Sequence, residues 1–205
     1  MGSEMCIRDR TIRTEKKICH YIDMPIQHAS DKILKAMGRR TNNAELRNII
    51  SKLRKEIPDI CLRTTLITGF PGETEEDHQI LLDFIDEMEF DRLGVFTYSP
   101  EEDTKAASLD NQVDEEVKLC RKDEIMELQQ EISMDKSERL VGKEIEVIIE
   151  GKASDEDVYV GRSYMDAPSV DGYVFINSEE ELMSGDFAKV RIVKAMEYDL
   201  IGDLI

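Results

Sequence analysis

The feature that most constrains this chain is a change of grammar near Gly142. Ahead of it, strand-like and helix-like stretches alternate. After it, only short strand-like stretches remain. "ICHYIDMPIQH" (18–28), "ICLRTTLITGF" (60–70) and "RLGVFTYSP" (92–100) are β-branched or aromatic runs bounded by polar, Pro or Gly residues. Between the first two, Ser30 is placed to cap a helix with Ile33, Leu34 and Met37 on one face. Thr41 is placed to cap a second helix, with Glu45 near its start and a stripe of Leu46, Ile49, Ile50 and Leu53. Thr74 opens a third, "TEEDHQILLDFIDEM", with Ile80, Leu81, Phe84, Ile85 and Met88 as its buried face. Strands alternating with helices of this length predict a parallel sheet with right-handed crossovers, an α/β fold.

Residues 112–140 predict one long amphipathic helix, with Val113, Val117, Leu119, Cys120, Ile125, Leu128 and Ile132 as its apolar positions and a solvated charged face. "KEIEVIIEG", "DVYVGRS", "DGYVFIN", "DFAKVRIVKAMEY" and "LIGDLI" then follow as five short strands. They are joined by turns rich in Gly, Asp, Asn and Ser, which predicts a small closed all-β barrel of OB-like type. The domain expectation is therefore an α/β unit over 14–137 and a barrel over 138–205. Residues 1–13, opening with "MGSEMCIRDR", are set aside as a non-native leader.

Charge excludes some function classes. The 205 residues carry 45 acids against 27 Lys and Arg, a formal net charge of -18. A general phosphate-binding surface needs clustered bases, so this balance argues against nucleic acid. It suits a cytoplasmic protein that meets a basic partner. No apolar run is long enough to span a membrane. The four cysteines, Cys6, Cys19, Cys61 and Cys120, have no metal-motif spacing and read as unpaired reduced thiols.

Candidate ligand residues sit where the strands end, because parallel sheets bind ligands at the C-terminal ends of their strands. Period-two alternation puts Asp23, Pro25 and Gln27 on one face of the first strand. It puts Arg63, Thr65, Ile67 and Gly69 on one face of the second. Arg63 needs a carboxylate beside it, either Asp23 or a ligand. Gly69 and Gly72 serve either a tight turn or the close approach of a cofactor to the backbone. His28 follows Gln27 directly and reads as a structural or a rim residue. The acids that open the third helix already occupy its positive end and argue against a phosphate there.

"YIDMPIQHASDKILKAMGRR", "LRTTLITGFPGETEED", "VFTYSPEEDTKAA" and "AMEYDLIGDLI", in this order, resemble the radical-SAM methylthiotransferases. "DMPIQHAS" and "GRSYMDAPSVDGYVFI" are similar to the branch that thiomethylates an aspartate of a small-subunit ribosomal protein. The resemblance covers residues 14–205 and implies the last three βα units of a radical-SAM partial barrel followed by a TRAM domain. It implies S-adenosyl-L-methionine and two [4Fe-4S] clusters as cofactors of the complete enzyme. Neither of the family's cysteine triads is present in this sequence, so no cofactor is expected on this piece, which should be inactive alone. Gln27, Arg63, Thr65, Ile67 and Gly69 are the positions implied to face the cofactor, with His28 at the substrate rim. Residues 138–205 hold nine more acids than bases, which favours a basic ribosomal protein as partner over tRNA. The alternatives are the tRNA-modifying branch and a non-catalytic binding module working through the TRAM barrel.

Overall fold

The computed structural model describes residues 10–153 and 157–205. Residues 1–9, with Cys6, lie outside them; residues 10–14 are helical, with Ile12 buried. The chain divides into two compact units. One holds Ile22–Gln129 and the segment ending at Arg13; the other holds Gln130–Ile205 and Thr14–Tyr21.

In the first unit, β1 (Tyr21–Asp23), β2 (Cys61–Thr68) and β3 (Arg92–Thr97) form one sheet in that order. β2 and β3 run parallel, with Arg63 opposite Arg92 and Ile67 opposite Phe96. The chain returns through α1 (Asp31–Ala36) and α2 (Asn43–Glu56) after β1, and through α3 (Glu75–Met88) after β2. On β2 the expected alternation holds. Leu62, Thr64, Leu66 and Thr68 are buried, while Arg63, Thr65 and Ile67 are half-buried on the other face.

The caps differ in detail from the sequence reading. Asn42, not Thr41, caps α2: its side chain accepts from the Glu45 amide, and Glu45 accepts from the Asn42 amide. Thr74 caps α3 through the same reciprocal pair with Asp77. Ser30 precedes α1, but its hydroxyl donates to Asp77 Oδ1 at 2.6 Å rather than capping. Ile80 is exposed; Asp77 and His78 take its place on the buried face of α3.

The long helix, α4 (Glu115–Glu138), departs most from expectation. Val117 and Leu119 are exposed, whereas Lys118, Arg121 and Gln129 are buried in one stripe with Ile125. The helix therefore packs a mixed spine: the expected Ile125 and Ile132 are buried, and each polar member beside them has a carbonyl or carboxylate partner. Lys118 Nζ donates to the Tyr98 carbonyl at 3.0 Å, Arg121 to Glu73, and Gln129 Nε2 to the Phe90 carbonyl at 2.9 Å.

In the second unit, β4 (Glu144–Lys152), β5 (Val158–Ser163), β6 (Val174–Asn177), β7 (Phe187–Ala195) and β8 (Leu200–Leu204) close into a barrel in the order β4-β5-β6-β8-β7. Val147, Ile149, Val174, Ile176, Val190 and Ile192 fill it. On its outside, three bases are matched to acids. Arg191 pairs with Glu144 at 2.8 Å, Arg162 with Glu150 at 2.7 Å and Lys152 with Asp157 at 3.2 Å.

Candidate cofactor site

Gln27 leaves β1 in a left-handed conformation, φ 72°, which an L side chain adopts only at a cost of about 1–2 kcal/mol. Two backbone bonds hold it there: its amide donates to the Thr65 carbonyl at 3.0 Å, and Ile67 donates to the Gln27 carbonyl at 2.8 Å. The strained residue is thus stitched across the sheet at the C-terminal ends of the strands. A cavity of about 410 Å³ opens at this end, walled by Gln27, Met37, Ile67, Phe70 and Tyr98, with Arg39 and Lys105 also lining it. Phe70 and Tyr98 meet edge to face, ring centres 5.2 Å apart, and pack with Ile33. Tyr98 is nine-tenths buried, and its Oη has no hydrogen-bond partner among the described residues. A buried hydroxyl without a partner is costly unless something else supplies one.

Behind this cavity lies a buried network that the sequence did not reveal. His28 is fully buried, which corrects the rim position expected for it. Its Nδ1 accepts from the amides of Ala29 and Ser30, each at 2.9 Å, so that nitrogen is unprotonated and Nε2 carries the proton. Nε2 faces Glu73 Oε2 at 3.5 Å, longer than a well-formed hydrogen bond. Glu73 Oε2 accepts from the amides of Gly69 at 2.7 Å and Phe70 at 3.1 Å, and Arg121 donates to its Oε1 at 3.0 Å. Burial alone would push the Glu73 carboxyl up. The His28 imidazole, the Arg121 guanidinium and the Phe70 amide outweigh burial and hold it below the usual carboxylate range. Glu73 thus consumes the amides at the end of β2, which is the physical reason an anion finds no free nest there.

Asp77 works alongside. Burial opposes its ionisation, but the Lys32 ammonium and the Ser30 and Thr74 hydroxyls bring its pKa well below the ordinary value. His78 is buried and bonds Glu124 through Nε2 at 2.8 Å.

Of the residues singled out from the sequence, Gln27 and Ile67 line the cavity. Thr65 sits between Arg63 and Ile67 on the same face and is bonded to Gln27 through its carbonyl. Arg63 lies further down β2 and pairs with Asp23 at 2.8 Å, one of the two partners the sequence left open for it. Gly69, φ 74°, has a Cβ position that would run into Lys118 Cγ, so turn geometry and helix packing already require glycine. Tyr98, Phe70 and Glu73 were missed. An aromatic at the end of β3, matching the aromatic just after β2, was the available signal for the first two. Among the described residues, no group of three His, Cys, Asp or Glu side chains could hold a metal ion. Cys19 and Cys120 are exposed and Cys61 is buried. This donor set does not fit an iron–sulfur cluster, which needs several thiolates converging on one point. No described helix is long and apolar enough to cross a membrane.

Comparisons with known proteins agree with this architecture. Residues 4–85 match the Radical SAM superfamily and residues 141–205 the TRAM domain. The chain is 60% identical over 191 residues to the ribosomal protein uS12 methylthiotransferase RimO of Lachnoclostridium phytofermentans, covering 93% of this chain and 43% of that one. Identity to the RimO of Pelotomaculum thermopropionicum is 54% over 191 residues, with the same coverage of both chains. That of Clostridioides difficile is 50% identical over 196 residues, covering 96% and 44%. This chain therefore spans less than half the length of these relatives. Among solved structures, coproporphyrinogen III oxidase (HemN) from Escherichia coli, a radical SAM enzyme, aligns with a TM-score of 0.52 at 16% identity. That match covers 77% of this chain and 43% of that one and speaks to fold alone. The chain is thus a partial radical SAM barrel followed by a TRAM domain, similar over nearly its whole length to the C-terminal part of the RimO methylthiotransferases.

Proposed function

We propose that this chain is the cofactor-facing half and the substrate-docking barrel of a methylthiotransferase acting on an aspartate of ribosomal protein uS12. The observation that carries the reading is the cavity at the strand ends, held by a strained Gln27 and walled by Ile67, Phe70 and Tyr98. Its volume is in the range of small-molecule sites, and its apolar walls with a few polar groups suit a nucleoside. Gln27 presents an amide there, Thr65 and Ile67 share the facing surface, and the unpartnered Tyr98 Oη offers a donor and an acceptor. S-adenosyl-L-methionine fits this set, and when bound beside an iron–sulfur cluster it supplies the radical that activates a C–H bond. Arg63 and Gly69 support this surface, the first by keeping Asp23 paired and the second by turning the chain into α3. The described residues hold no ligand set for a cluster, so cluster chemistry belongs to the part of the relatives that this chain does not span.

The barrel takes the protein substrate. Its outer bases Arg191, Arg162 and Lys152 are spent on Glu144, Glu150 and Asp157, leaving an acidic surface that attracts a basic protein and repels a phosphate backbone. Binding of purified uS12 and of unmodified tRNA to this chain, measured by fluorescence anisotropy over a salt series, tests the assignment. The expected result is salt-sensitive binding of uS12 and none of tRNA. Tight tRNA binding with no uS12 binding would move the chain to the tRNA-modifying branch.

A further inference from the structure

Arg39 and Lys105 line the cavity and are exposed at its mouth. Neither has a side-chain hydrogen bond or ion pair among the described residues. Arg47, Arg162 and Arg191, by contrast, each find an acid. Glu101, Glu102 and Asp103 lie just ahead of Lys105 in the same loop, yet none pairs with it. Arg39 is held in place through its backbone. Gly38, φ 74°, turns the chain out of α1, and the Arg39 amide then donates to the Leu34 carbonyl at 2.8 Å. Tyr98, whose buried Oη has no hydrogen-bond partner among the described residues, is another of the lining residues. Two uncompensated cations at the mouth, with an unsatisfied phenol among the lining residues, make an environment short of an anionic acceptor.

We infer that Arg39, Lys105 and Tyr98 form a carboxylate-binding subsite at the mouth of this cavity. The inference rests on the proposed reading of the cavity as the meeting place of cofactor and substrate. A carboxylate suits the arrangement because a guanidinium matches its two oxygens and a phenol adds a short donor. It comes from one of two sources: the target aspartate of the protein substrate, or the amino-acid end of adenosylmethionine. The exposed position of both cations favours a group arriving from outside.

The test is an amide NMR titration of this chain with four probes. Two are short basic peptides differing only in Asp against Asn. The others are S-adenosyl-L-methionine and its decarboxylated analogue. The expected result is that the Asp peptide shifts the signals of Arg39, Lys105 and Tyr98 and binds about five- to tenfold tighter than the Asn peptide, the size of one charge-assisted contact. Arg39→Gln and Lys105→Gln should each remove most of that preference, and Tyr98→Phe part of it, with folded spectra retained. The same preference seen only between adenosylmethionine and its decarboxylated form would keep the subsite and assign it to the cofactor. Equal binding within both pairs, no binding of any probe, or Gln variants that bind like the unaltered chain would overturn it. Adenosylmethionine binding that ignores Arg39→Gln and Lys105→Gln refutes the subsite and leaves the cavity reading standing. Asp-peptide binding without adenosylmethionine binding does the reverse.

Discussion

Replacing Glu73 by Ala should be among the most damaging single changes in the first unit. The carboxylate is fully buried, accepts from two backbone amides and neutralises Arg121, itself about nine-tenths buried. Its loss leaves Arg121 with the exposed Glu75 at 3.3 Å and the backbone carbonyl of residue 73 at 3.4 Å, and frees the Gly69 and Phe70 amides. Breaking a buried pair from one side costs about 3–5 kcal/mol. The amide bonds are not added to that figure, because the shared site relaxes as a whole. With a urea slope of about 2 kcal/mol per molar, the midpoint should fall by about 2 M. Hydrogen exchange at Gly69 and Phe70 should quicken beyond the global change, since those amides lose their acceptor. Adding Arg121→Met should restore part of the loss by removing the stranded charge. A midpoint shift below about 0.3 M for Glu73→Ala would refute the network as a source of stability.

Acid should expose the same carboxylates. The folded pKa values of Glu73 and Asp77 lie below their unfolded ones, so both contribute stability above the unfolded value and lose it as pH falls through the folded value. Urea midpoints should therefore drop below the ordinary carboxylate range, and Glu73→Gln should flatten that drop; an unchanged profile in Glu73→Gln removes the assignment. Gly69→Ala forces a side chain into φ 74° and into Lys118, which should destabilise by about 2–4 kcal/mol. Lys118→Ala should relieve only the contact, not the backbone strain, and full rescue would contradict the dihedral argument. Gln27→Gly releases the strain at φ 72° and should leave stability unchanged or raise it by up to about 1 kcal/mol while weakening adenosylmethionine binding. A clear loss of stability would show that the Gln27 side chain holds the fold rather than the ligand.

The backbone architecture was legible because period-two and helical patterns fix which residues are buried, as on β2 and through all five strands of the barrel. The same alternation brought Asp23 forward as one of two partners for Arg63, and the two side chains pair. Tertiary partners were not legible. Lys118, Arg121 and Gln129 look like a solvated face until α4 is laid against the strand ends, where carbonyls and Glu73 receive them. His28 reads as a rim residue because its neighbour Gln27 faces the cavity. The left-handed turn at Gln27 instead carries His28 into the interior, where the Ala29 and Ser30 amides donate to its Nδ1. Tyr98 was passed over because only the packed cavity shows that its hydroxyl lacks a partner.

The most direct test of the functional account is transplantation. In the RimO of Lachnoclostridium phytofermentans, the 191-residue stretch matched by this chain is replaced by this chain, and the iron–sulfur clusters are reconstituted without oxygen. Mass spectrometry of uS12 after incubation with adenosylmethionine and a sulfur source should show one hydrogen replaced by a methylthio group on a single aspartate. Purified tRNA should stay unmodified. A folded, cluster-loaded chimera that leaves uS12 untouched, or that modifies tRNA instead, would contradict the account.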